Sequence, residues 1–310
     1  MSGDFVPALQ QTLKTAIGCR GVGLHTGRKV SMTLNPAPPG TGILFRRKDV
    51  GVEIKAGWEN AVASPLCTLI RNAEGVEVRT IEHLMAALAG AEIDNALVEL
   101  DGPEVPIMDG SAAPFLFLIE RAGVEEQEEA RRAIRVLKKV SLVEGAAMAS
   151  LEPAPDSSLS FEIHFDNPLI RRQEMTLSLE GGTFKREIAR ARTFGLADDI
   201  ERLRAAGLAR GGSLSNAVVV SGNRVLNTGG LRYADEFVRH KLLDALGDLY
   251  LAGGPILGHF RGVRSGHKMT QKLLARLFAE RASWTFAAIA RINVGDLPQW
   301  AEPARHLARA

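Results

Sequence analysis

The sequence predicts an α+β protein built from two units, each with its strands first and its helices after. Three observations carry that expectation. Short runs such as VSMTL at 30–34 alternate in the period of a half-buried strand, whereas IEHLMAALA at 81–89 is a compact block of helix-forming apolar residues. A charged run, VEEQEEARRAIRVLKK, then interrupts the chain, and the pattern of strands followed by helices restarts beyond it. Runs of strands followed by runs of helices segregate sheet from helix, unlike the strict alternation of a parallel βαβ fold. At 310 residues the chain has room for two such units, and 45% apolar with 24% charged residues is the balance of a soluble globular protein.

Taken in order, ILF at 43–45 and ALVEL at 96–100 are further strand candidates. A second helix is expected to start at Ser111 in SAAPFLFLIERAG, with Ser111 as the cap and Gly123 as the stop. Four Glu fall within 125–129 and cannot fill a core, so the unit boundary is expected near 124–133. After it, IRVLKKV, LSFEIHF and EMTLSL read as strands. Helices are expected around 198–206, from about 234 to 252, and from 268 to 281. The last 25 residues have weak periodicity and read as a surface appendage.

Composition narrows the function. Lys+Arg 38 against Asp+Glu 36 leaves a net charge of +2, which provides no global field for nucleic acid. Basic pairs such as Arg46-Arg47 and Arg171-Arg172 are read as solvated surface that remains available to a phosphate. Two cysteines, Cys19 and Cys67, are too few and too far apart for a disulfide framework or a cysteine zinc site, in keeping with a reducing compartment. MSGDFVPALQ lacks the apolar core of a signal peptide, and no run of 18 apolar residues occurs. A cytoplasmic protein that spans no membrane is expected.

Seven histidines are present, and three of them have telling company. In RHKLLDALGD at 239–248, His240 and Asp244 are four apart, so on a helix they project from one face about 6 Å apart. That spacing suits one metal ion, and it equally suits an exposed His–Asp pair. Asp248 continues the face one turn later, with Lys241 alongside. In TIEHL at 80–84, Glu82 and His83 open an apolar helix, where a buried carboxylate needs a partner. His83 is a candidate third ligand and Glu82 a candidate base, unless both side chains sit in water at the helix start. Three protein ligands with an open position is the pattern of a catalytic zinc. In RSGHKMT at 264–270, His267 precedes a helix. The phosphate-loop pattern fails there because His267 stands where Gly would precede Lys268, and RGVGLHTG at 20–27 fails the dinucleotide pattern G-x-G-x-x-G.

Together these segments resemble the UDP-3-O-acyl-N-acetylglucosamine deacetylase family, the zinc amidases of lipid A biosynthesis. The resemblance runs through TAIGCRGVGLHTGRKV, TIEHLMAALAGAEIDNALVELDGPEVPIMDGSAAPF, ARTFG, GLARGGSLSNAVVV, LRYADEFVRHKLLDALGDLYL and SGHKMT, from about residue 10 to about 280. It implies zinc on His83, His240 and Asp244, a donor set that also accepts iron(II). Glu82 matches the general base, His267 the protonated acid, Asp248 its carboxylate partner and Thr193 a hydroxyl donor to the tetrahedral intermediate. Lys241 matches a cation near the substrate's polar groups. Leu24 and Cys67 match apolar contacts at the site's edge with His25 nearby, and Phe194 the mouth of an acyl-chain passage that Ile200 and Gly212 help to line.

The family's fold implies two α+β domains of similar topology, each a sheet packed on helices, with the helical layers facing each other. The expected division is an N-terminal domain at 1–126, a C-terminal domain at 133–285 carrying the passage insert, and a tail at 286–310. The resemblance further implies a UDP-linked acylated amino sugar as substrate, transient inner-membrane contact and a monomer; the dehydratase domain fused to some family members is not expected. Ser215 and Ser221 stand where acidic residues are expected. Two other readings compete: a zinc amidase for a different acylated substrate, and a UDP-sugar or acyl-chain binding protein with a decayed metal site. The second is disfavoured because ligands, base and acid are all present.

Overall fold

The computed structural model describes residues 6–64 and 66–290. In the first half, a five-stranded sheet runs in the order Ile17–Val22, Lys29–Pro36, Ala96–Leu100, Ile43–Arg47 and Val52–Lys55. All its neighbours are antiparallel except Ile43–Arg47 beside Ala96–Leu100. Lys29–Pro36 shows why the alternation is diagnostic. Val30, Met32 and Leu34 are buried, and the residues between them are not.

The second half holds a seven-stranded sheet around the long strand Ile256–Val263. That strand pairs antiparallel with Ala147–Glu152 and parallel with Ser157–His164, while its first two residues pair with Arg132–Val136. Two helices of the first half are α1 (Glu82–Gly90) and α2 (Ala113–Ala122). The second half adds α3 (Ala197–Ala205), α4 (Glu236–Leu249) and α5 (His267–Ala279). Helix α2 packs on strand Ile17–Val22, α4 on strands Ser157–His164 and Arg172–Ser178, and α1 lies against both α2 and α4. The layers therefore run sheet, helices, helices, sheet, as expected for a mixed α+β sandwich.

Helix α1 is buried from Glu82 to Leu88, so its composition rather than any apolar stripe announced it. It meets α4 at Gly247, where a Cβ would lie 2.0 Å from the Glu82 carbonyl oxygen. Only glycine permits backbones to approach that closely, and this contact brings the first turn of α1 to the last turn of α4.

One expectation, the Ser111 cap, needs correction, and two segments pair in ways the sequence did not announce. Val124–Ala130 is a strand antiparallel to Leu9–Leu13, and its exposed glutamates need no core because backbone pairing alone holds the ribbon. Ser111 does not cap α2. The helix starts two residues later, while the Ser111 hydroxyl donates to Asp109 Oδ1 (2.8 Å) and accepts from the Ala113 N–H (3.3 Å). Gly123 does end the helix, at φ 76°. The tail expected from 286 begins inside a strand, since Trp284–Ala288 pairs with Arg132–Val136. The remainder of that tail, from 291, lies outside the described residues.

Candidate metal and acid–base centre

The three predicted metal ligands converge. Helix α1 delivers His83 and α4 delivers His240 and Asp244, all buried, with ligand atoms within 4.8 Å of one another. Asp244 Oδ1 lies 3.2 Å from His240 Nε2 and 3.6 Å from His83 Nε2, and the two imidazole rings meet edge to face with centroids 4.9 Å apart. The alternative of an exposed His–Asp pair on α4 is thereby excluded. The His240 Nδ1–H donates to the Ala191 carbonyl (3.0 Å), which leaves Nε2 as a lone-pair donor facing the cluster. Burial pushes the His240 pKa down to about 4, so the imidazole is neutral.

Burial alone would raise Asp244. His240 and the Lys241 ammonium beside it hold the carboxylate well below its usual range, and Lys241 Nζ donates to Oδ2 at 2.6 Å. The other oxygen, Oδ1, is buried without a donor in hydrogen-bonding geometry. An ionised carboxylate oxygen left unpaired beside the lone pair of His240 Nε2 is costly unless a cation joins them. The donor set of two imidazoles and a carboxylate fits a divalent transition metal. Among the described residues this is the one group that meets such a geometry.

Glu82, His267 and Asp248 border the cluster. Glu82 is buried, and burial raises its pKa against the pull of His267 and His83. Its Oε1 lies 3.8 Å from His267 Nε2. Burial disfavours an imidazolium at His267, but Asp248 more than offsets it. Asp248 Oδ2 is 2.9 Å from Nδ1, and the pKa rises to about 9. The site thus pairs a carboxylate poised to take a proton with an imidazolium poised to give one.

Of the remaining predicted residues, Phe194 reaches the cluster through the His240 ring and Cys67 feels the Glu82 charge. Ala191 leads directly to Thr193 and Phe194, whose backbone is fixed by Thr193 N–H donating to Gly110 O (2.7 Å) and by pairing with Val218. The Phe194 ring packs edge to face on Phe165, Phe237 and His240. Ile200 on α3 packs over Gly195, and Leu24 lies beside Gly212, with Gly211 N–H donating to Leu24 O (3.0 Å). Cys67 is buried, and desolvation together with the Glu82 charge pushes its thiol up to about 12. Ser215 bonds Ser213 (2.7 Å) and Ser221 ends a short strand, both exposed. One arginine of each basic pair is already engaged: Arg47 is buried on Asp49 and the Glu77 carbonyl, and Arg172 pairs with Glu162 and Glu174.

Two organising residues escape sequence reasoning. Thr68 is fully buried between Glu82, Asp248 and His267. Glu104 accepts from the backbone N–H of His25 (2.8 Å) and Thr26 (2.9 Å) and from the hydroxyls of Thr26 and Thr80. It thereby ties the loop bearing Leu24 and His25 to the turn before α1. Only the compact DGPEVPIMDG motif hinted at Glu104; nothing marked Thr68.

The chain matches the family model for UDP-3-O-acyl N-acetylglycosamine deacetylase over residues 10–279. A protein of Marinobacter nauticus is 51% identical over 279 residues, 89% of this chain and 91% of its own. One from Acidithiobacillus ferrooxidans is 50% identical over 281 residues, covering 89% and 92%. One from Stenotrophomonas maltophilia is 48% identical over 299 residues, covering 95% and 98%. All three are named UDP-3-O-acyl-N-acetylglucosamine deacetylase. Among the described residues no helix is long and apolar enough to cross a membrane.

Proposed function

The chain belongs to the UDP-3-O-acyl N-acetylglycosamine deacetylase family, and we propose that it is a zinc-dependent amidase of lipid A biosynthesis. It removes the N-acetyl group of UDP-3-O-acyl-N-acetylglucosamine and releases acetate. The observation that carries this reading is the buried His83–His240–Asp244 cluster, with its unbonded carboxylate oxygen, set beside a raised glutamate and a carboxylate-paired histidine. A zinc ion on these three side chains supplies Lewis acidity and acidifies water toward a pKa of about 7. Iron(II) suits the same donors.

The protein's own groups do the rest. Glu82 Oε1 takes a proton from the attacking water, whose oxygen bonds to the acetyl carbon. The Thr193 hydroxyl donates to the oxygen that gains negative charge. His267 Nε2 then gives its proton to the sugar nitrogen as the C–N bond breaks, because an amine leaves poorly until protonated. Asp248 keeps His267 charged until that step. Lys241 is the cation near the substrate's polar groups. Leu24 and Cys67 are apolar contacts at the site's edge, and Phe194, Ile200 and Gly212 border the acyl chain, with the insert at 193–213 forming its passage. We assign an N-terminal domain to 1–126 and a C-terminal domain to 133–285, and regard the enzyme as a cytoplasmic monomer touching the inner membrane transiently.

The test is deacetylation of the UDP-linked substrate by metal-depleted protein as zinc is added back. Activity that returns at about one zinc per chain and is absent from Asp244→Ala supports the reading. A protein that binds zinc and leaves this substrate intact overturns the substrate, and one that binds no metal overturns the mechanism.

A further inference from the structure

Thr68 sits in the segment leading into strand Leu69–Arg71 and is wholly buried. Its backbone N–H donates to Glu82 Oε2 at 3.0 Å. Its hydroxyl donates to Asp248 Oδ1, and the same oxygen lies 3.2 Å from His267 Nδ1. One residue of the first half therefore touches the proposed base, the proposed acid and the carboxylate that orients the acid.

The bookkeeping of donors and acceptors makes this contact directional. A threonine hydroxyl carries one proton, and here it goes to Asp248. Towards His267 the hydroxyl oxygen then offers only lone pairs, and ionised Asp248 also only accepts. Nδ1 of His267 must therefore carry the hydrogen, so the proton that comes and goes resides on Nε2. That nitrogen faces Glu82 Oε1 at 3.8 Å and Asp244 Oδ2 at 3.9 Å, on the side of the metal cluster. Glu82 is sorted in the same way: Oε2 is occupied by the Thr68 N–H, which leaves Oε1 to act.

We propose that Thr68 is a positioning residue that selects the working atoms of both proton-transfer groups, Oε1 of Glu82 and Nε2 of His267. This rests on the deacetylase reading above. Without its hydroxyl, a buried oxygen of Asp248 loses its donor and the imidazole loses one of the two acceptors that fix its ring and tautomer.

The experiment compares Thr68→Val and Thr68→Ser in the zinc-loaded enzyme. Loss of an orienting partner of this kind lowers kcat by about 10–100-fold, with KM and zinc stoichiometry unchanged. Serine restores the hydroxyl, and turnover returns to within about threefold of the parent. A Thr68→Val enzyme with parental kcat overturns the proposal, as does a loss that serine fails to rescue. If the valine variant does not fold, imidazole ¹⁵N spectra of the parent enzyme decide. Protonated Nδ1 with exchange confined to Nε2 supports the assignment, and neutral His267 bearing its hydrogen on Nε2 overturns it. A parent enzyme that leaves the UDP-linked substrate intact defeats the deacetylase reading instead, while the same spectra still judge Thr68.

Discussion

At the scale of single residues, the proposed acid and base have opposite titration demands. Glu82 must be ionised to take a proton, and burial raises its pKa, so activity climbs as pH rises through that raised value. His267 must be protonated to give one up, and Asp248 holds it at about 9, so activity falls as pH rises further. A cation on the neighbouring ligands lowers that basic limb. The expected profile of kcat/KM against pH is bell-shaped. His267→Gln should lose the basic limb together with about 10²–10⁴-fold in turnover; a Gln variant turning over like the parent removes His267 from the acid role. The ligand residues were legible because His240 and Asp244 share a helix face, and because Glu82 with His83 stood at the start of an apolar segment. Thr68 was not legible. Its contact with Asp248 spans 180 positions, and a threonine before a short strand carries no spacing that marks it.

At the scale of elements, the close crossing of α1 and α4 fixes how the site's two sources meet. Gly247→Ala would drive a methyl into the Glu82 carbonyl and toward the Ala86 N–H, both backbone atoms that cannot swing aside. The helices must separate, at about 1–3 kcal/mol or more. Chemical denaturation should show that loss, and metal competition should show weaker binding, because His83 moves relative to His240 and Asp244. Unchanged metal affinity would mean that the ligands tolerate the shift. Helices were readable from sequence to within about two residues because their composition differs sharply from the strands around them. The strand Val124–Ala130 was not legible because glutamate runs disfavour a core, and an exposed ribbon does not need one.

For the whole molecule, ion pairs and the candidate metal ligands bring distant segments together. Glu236 at the start of α4 is buried and accepts from Arg192 and from the backbone N–H of Arg232. Burial alone would raise it, but these donors hold its pKa below the ordinary glutamate value. A depressed folded value stabilises the protein above the unfolded pKa of about 4.3, and that stability is lost as pH falls through the folded value. Glu236→Gln should therefore cost about 3–5 kcal/mol at neutral pH, with the gap to the parent narrowing in acid. Urea titrations at pH 7 and pH 4 measure it, and a gap that does not narrow contradicts the assignment. The candidate metal ligands likewise come from both halves. Zinc at about 100 times its dissociation constant should add about 2.7 kcal/mol of stability, seen as a rise in melting temperature that Asp244→Ala abolishes. The ion pair joining Arg232 to Asp109 (2.8 Å) was invisible in sequence, because each residue stands in a separate block and only the folded chain makes them neighbours.

The burial of α1 on all sides also constrains how this protein can vary under selection. A helix with a wet face absorbs substitutions there, but from Glu82 to Leu88 no such face exists. Each change on that segment meets packed neighbours or the metal cluster. Variants that survive selection should therefore gather at exposed positions such as Leu66 and Leu214. A saturation library scored for growth would show α1 as a blank stripe, flanked by tolerant loops.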